Sequence, residues 1–118
     1  MMNKPREISI EQLQEVLERH REWVESKGKK GKRASLARTK LWGANLEGAN
    51  LSSANLVRAT LSGADLEKAD LKGANLRKAY CMKVNLQGAD LTNATGLTAA
   101  QVEAAVTDEE TRLPAYLA

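Results

Sequence analysis

The chain has 118 residues, 42% of them hydrophobic and 28% charged, with a formal net charge of +3. That length suits one ordinary domain, the apolar share argues against general disorder, and no eighteen-residue apolar run is present to span a membrane as a helix. The charge divides as +3 over 1–33, +3 over 34–93 and −3 over 94–118, and so modest a net excess is not the signature of a dedicated nucleic-acid binder.

The N-terminus reads MMNKPREISIEQL, charged throughout and without an apolar leader, which disfavours secretion. The single cysteine, Cys81, cannot build a disulfide framework and suits a reducing, cytoplasmic setting. The stretch SIEQLQEVLERHREWVESKG predicts a helix, with Ser9 as its N-cap, Gln12 completing a capping box and Gly28 just beyond its last turn. Ile10, Leu13, Val16, Leu17, His20, Trp23 and Val24 keep helical spacing along one face, so this helix is expected to lie as a lid on whatever follows. The basic stretch KGKKGKR at 27–33 then reads as a solvated hinge, with contact to nucleic acid or an acidic surface as the alternative.

From Ala34 to Asn93 the chain divides into twelve pentapeptides without a gap. Leucine holds the third position in eleven of them, alanine the first in ten, and Asn or Asp the second in eight. A helix cannot use a period of five, because steps of about 500° scatter the leucines around its axis. A straight strand fails as well, since five is odd and each leucine would change face. A short extended piece followed by a quarter-turn bend satisfies the pattern. First and third positions then point inward together, and four units close a square coil of twenty residues whose neighbour stacks at about 4.8 Å.

The expected fold is therefore mainly β, a solenoid of about three coils. Its interior columns are Leu36/Leu56/Leu76, Leu41/Leu61/Cys81, Leu46/Leu66/Leu86 and Leu51/Leu71/Leu91. Asn or Asp at the second position is expected to bond neighbouring turn backbone. After the coils, GLTAAQVEAAV repeats the capping pattern with Thr98 and Gln101, and the tail RLPAYLA offers Leu113, Tyr116 and Leu117 as further cover. The division expected is 1–33 for the capping helix and basic linker, 34–97 for the coil, and 98–118 for the C-terminal capping helix and tail. With both ends covered, the chain reads as self-contained.

Residues 34–93 resemble the pentapeptide repeat family, whose motif is A(D/N)LXX; the L…H..W and LT..Q…D..T.LP patterns of the flanks are also similar to those of small bacterial members. The resemblance implies a right-handed quadrilateral β-helix. It also implies a second functional reading, a DNA-mimicking effector of gyrase, a type II topoisomerase. That mechanism asks for a long, strongly negative rod, and the repeats here are short and carry +3.

Nothing in the sequence assembles a catalytic, cofactor or metal site. His20 is the only histidine, Cys81 falls in a leucine column, and a bore filled by side chains leaves no room for a small-molecule substrate. The reading is a non-enzymatic protein-interaction module, without cofactor or membrane, its partner another protein, and monomeric or homodimeric through the C-terminal segment. One surface departs from the repeat. Units 39–43, 59–63 and 79–83 replace Asn/Asp by Lys40, Thr60 and Tyr80, place Trp42, Ser62 and Met82 outward, and adjoin the corner column Arg38/Arg58/Lys78. The candidate interaction face is accordingly Arg38, Lys40, Trp42, Arg58, Thr60, Lys78, Tyr80 and Met82. Two readings stay open for it: an exposed recognition surface, or a face covered by the terminal segments, with Trp42 meeting Trp23.

Overall fold

The computed structural model describes residues 4–118. Residues 1–3, which open the charged N-terminus and the 1–33 segment, lie outside the described residues. Each pentapeptide builds one side of a square. The third-position C=O accepts the N–H of the next unit's first residue, as in Ala54 N–H to Leu51 O at 3.0 Å, and closes a tight turn. All twelve fifth positions sit at positive φ within that turn, as the third residue of a type II turn requires. Glycine fills five of them, and Arg38, Ser53, Arg58, Lys68, Lys78, Lys83 and Asn93 the other seven. A left-handed residue with a side chain costs about 1–2 kcal/mol. The ladder outweighs that cost, because each coil bonds the next through parallel bridges between second positions twenty residues apart, such as Asn55↔Asn75.

Each side meets its neighbour through single bridged residues rather than extended strands. Only a couple of residues separate one corner from the next, so a conventional strand has no room to form. The eight second-position Asn and Asp residues each accept, through Oδ1, the N–H two residues on. Val57 to Asn55 at 3.0 Å and Thr92 to Asp90 at 3.0 Å are examples. Inside, Leu36, Leu41, Leu46, Leu51, Leu56, Leu61, Leu66, Leu71, Leu76, Cys81, Leu86 and Leu91 are buried together with the first-position alanines from Ala54 onward.

Helix α1 spans Ile10–Glu25 and starts with the Ser9–Gln12 capping box. It ends in a Schellman turn: Lys27 takes the left-handed conformation at φ 57°, and Gly28 N–H reaches back to Trp23 O at 2.8 Å. Ile8, Leu13, Val16 and Leu17 pack on the open bottom of the coil. Ile10 does not join them. It is 73% exposed, because the first helical turn overhangs the edge of the square. The 27–33 stretch is folded back on α1 instead of forming a hinge: Lys30 N–H bonds Ser26 Oγ at 2.7 Å and Lys32 N–H bonds Arg19 O at 3.0 Å. Ahead of the helix, Arg6 bridges Thr39 and extends one side downward by a rung.

The top is closed by α2, Ala99–Ala104, and by the tail. Gln101 serves twice. Its Oε1 accepts Thr98 N–H at 2.7 Å, and its Nε2 donates to Ala79 O at 2.8 Å, which no backbone N–H among the described residues reaches, and to Leu76 O at 3.2 Å, which already takes the Ala79 N–H of its turn. Val106 and Arg112 bridge Asn85 and Asp90 as a partial fourth coil. Asp108 accepts the Gly88, Glu110 and Thr111 N–H groups, each at 3.0 Å, and these bonds, Gly88's first, hold its carboxyl below the ordinary range. The Tyr116 hydroxyl accepts Leu97 N–H and donates to Leu97 O. No described helix is long and apolar enough to cross a membrane.

Candidate interaction face

The sequence singles out His20 and Cys81 for their chemistry, and the fold assigns each a place. His20 is fully buried. Its Nδ1 accepts the Ala34 N–H at 2.9 Å, so Nε2 carries the proton and donates to Ser52 O at 2.8 Å. Burial lowers its pKa and holds the ring neutral, and Trp23 stacks on it at 5.5 Å between centroids. Both ring nitrogens are occupied in fastening lid to coil, and none is left for a substrate. Cys81 lies in its leucine column, where burial pushes the thiol up to about 11.

Trp23 therefore faces His20 and not Trp42. Neither lid covers the surface of units 39–43, 59–63 and 79–83: Trp42, Tyr80 and Met82 are 61%, 60% and 59% exposed. Along it Lys40, Thr60 and Tyr80 form one bridged column. Lys40 Nζ lies 5.4 Å from the Trp42 ring and pairs with Glu7 at 2.7 Å. At the adjoining corner Arg58 and Lys78 are exposed and Arg38 is half-buried. Arg58, Arg77, Lys78, Tyr80, Thr98 and Gln101 line an open depression where this corner meets the top lid.

Stacking the units in fours also sorts their charges. The sides built from 34–38, 54–58, 74–78 and from 39–43, 59–63, 79–83 carry Arg38, Lys40, Arg58, Arg77, Lys78 and Lys83 and no acid, a charge of +6. The two opposite sides carry Glu47, Asp65, Glu67, Asp70 and Asp90 against Lys68 and Lys72, a charge of −3. The repeat region's +3 is thus a difference between two unlike halves, visible only once the coil period of twenty is imposed on the sequence.

Losing Asn/Asp has a backbone consequence as well. In the eight units with Asn or Asp the fourth-position N–H is held by the second-position side chain; unit 34–38, with Ser35 there, leaves the Ala37 N–H without such a bond. On this side the N–H groups of Trp42, Ser62 and Met82 have no hydrogen-bond partner among the described residues. They form a vertical row of free donors, one per coil.

The family model for pentapeptide repeats matches the chain in eight copies over residues 32–67 and 54–93. Together these matches run from 32 to 93, more than half of the 118 residues. The chain belongs to the pentapeptide repeat family. Among solved structures, this pentapeptide repeat protein is similar to alr5209 of Nostoc PCC 7120, itself a pentapeptide repeat protein, at 23% identity and a TM-score of 0.59, over 94% of this chain and 88% of that one. It is also similar to QnrB1, a plasmid-mediated fluoroquinolone resistance protein, at 21% identity and a TM-score of 0.52, over 64% of this chain and 38% of that one. At those identities the likeness establishes the fold, the right-handed β-helix of pentapeptide repeat proteins. No curated protein sequence matches the chain.

Proposed function

We propose that this protein is a non-enzymatic interaction module that recognises another protein through the side formed by units 39–43, 59–63 and 79–83. The observation that carries the reading is the exposure of Trp42, Tyr80 and Met82 on the one side that abandons the repeat's Asn/Asp, beside Arg58 and Lys78. Aromatic, Met and Arg side chains are enriched where proteins meet. A solenoid holds them at fixed rungs about 4.8 Å apart, so little ordering entropy is lost on binding. Chemical cross-linking of the full chain in cell extract, followed by mass spectrometry, tests this. Cross-links should centre on this side, and Arg58→Ala or Tyr80→Ala should abolish capture. Capture by both variants equal to wild type ends the proposal.

The family's other reading, imitation of DNA toward a topoisomerase, gains support from the likeness to QnrB1, a resistance protein. Charge argues against it, because the two halves carry +6 and −3 and neither is a strongly negative rod. Inhibition or protection of purified gyrase in a supercoiling assay would reinstate it.

A further inference from the structure

The row of unbonded donors and the cations of the basic half border the same side of the coil, the donors at the corner that ends it and Arg58 and Lys78 at the corner that opens it, and together they specify the partner's chemistry. Eight of the twelve units satisfy their fourth-position N–H with a carboxyl or carboxamide oxygen two residues earlier. In the three units of the exposed side no such oxygen is present, and the Trp42, Ser62 and Met82 N–H groups stay open, one above another. Lys83 follows Met82 at their corner, and Arg58, Arg77 and Lys78 stand at the other corner of the side, none of the four in an ion pair among the described residues. A backbone N–H column flanked by cations is complementary to oxygen acceptors that carry negative charge.

Resting on the interaction reading above, we infer that the partner is an acidic polypeptide segment. Its Asp or Glu carboxylates supply in trans the oxygens that this side lacks, while its apolar side chains settle between Trp42 below and Tyr80 and Met82 above. Thr60 and Ser62, on the middle coil between these bulky groups, leave a low step on the surface for such a side chain. A peptide is favoured over a phosphate backbone because the face offers large apolar anchors as well as charge, and an extended chain with alternating side chains meets both kinds of contact.

The test uses the full-length protein and a fluorescein-labelled synthetic peptide of alternating aspartate and leucine, with a labelled duplex DNA of equal charge as the competing probe. Wild type should bind the peptide in preference to the duplex, and Arg58→Glu or Lys78→Glu should weaken peptide binding at least tenfold. Lys68→Glu, on the acidic half, should change it less than twofold. Thr60→Asn is the decisive variant. It installs the family's own oxygen under the Ser62 N–H, so melting temperature should rise while peptide affinity falls at least threefold. An unchanged affinity in Thr60→Asn, equal losses from Lys68→Glu and Arg58→Glu, or tighter binding of the duplex overturns the inference. Cross-links from cell extract that map to the acidic sides would likewise overturn it, and those that map to this side while the aspartate–leucine peptide fails to bind would overturn it too and leave only the interaction reading standing.

Discussion

His20 receives the backbone N–H of Ala34 on its Nδ1 at 2.9 Å, and this bond ties the C-terminal half of the lid helix to the first residue of the first coil. A protonated ring cannot accept it. Burial lowers the His20 pKa from its ordinary 6.5, so the unfolded chain takes up a proton at a higher pH than the folded one does. Stability from this group is therefore complete above pH 6.5 and is lost as pH falls below it toward the folded value. Thermal melts from pH 8 downward should show the melting temperature dropping below 6.5. His20→Asn should melt lower at pH 8 and show no such drop. The carboxylates Asp90 and Asp108, held below their usual 3.8, act only in a separate, more acidic window.

Leu61 lies in the middle coil, buried between Leu41 below and Cys81 above in its column. Leu61→Asp places an uncompensated charge there and is expected to cost several kcal/mol, enough to unfold a domain whose whole margin is about 5–15 kcal/mol. Glu67→Ala, pointing outward from the neighbouring side, should change the unfolding free energy by no more than about 0.5 kcal/mol. Circular dichroism in a urea series separates the two outcomes.

Two glycines with nearly the same φ make a matched pair. A Cβ at Gly31, φ +71°, would collide with Arg19 O and stand 2.7 Å from Trp23 N, whereas at Gly48, φ +67°, it would meet nothing within 4 Å. Gly48→Ala should cost only the left-handed conformation, about 1–2 kcal/mol. Gly31→Ala adds about 1–3 kcal/mol of overpacking and should loosen the lid. Equal stability of the two variants in denaturant titrations would contradict the tight seating of the 27–33 loop on α1.

With its thiol pushed up to about 11, Cys81 is almost wholly protonated at neutral pH and also out of reach. Iodoacetamide at pH 8 should label it far more slowly in the native protein than in urea. Equal rates would mean that the top of the column is open.

The coil was legible in the letters because leucine at every fifth position admits almost no other backbone, and the same count placed the Asn and Asp residues at turns. Single side chains with two tasks were harder to foresee. Gln101 is visible as the third residue of a capping box, but nothing local signals that its amide nitrogen will reach two carbonyls of the coil below. Ile10 keeps helical phase with Leu13 and Leu17 yet hangs past the rim, since phase says nothing about where a supporting surface stops. For the 27–33 loop, composition suggested a solvated hinge, while the contact that decides its seating is the close approach of Gly31 to α1. The exposed side was marked by its departures from the repeat. Whether something covers it depended on where Trp23 turns, and that is set by His20.

Because every rung reproduces the bonding of the one below, the height of this molecule is a matter of counting. Among the described residues, the bottom closure's hydrogen bonds to the coil go to its first turn, at residues such as Ala34 and Ser52, and those of the top closure to its last, at residues such as Leu76 and Gly88. A duplicated block of twenty residues in the interior would meet on either side the neighbours it already knows, and would lengthen the column by one storey of about 4.8 Å without disturbing floor or roof. Such a lineage can grow or shrink by whole storeys, while a gain or loss of any other size throws its four walls out of alignment.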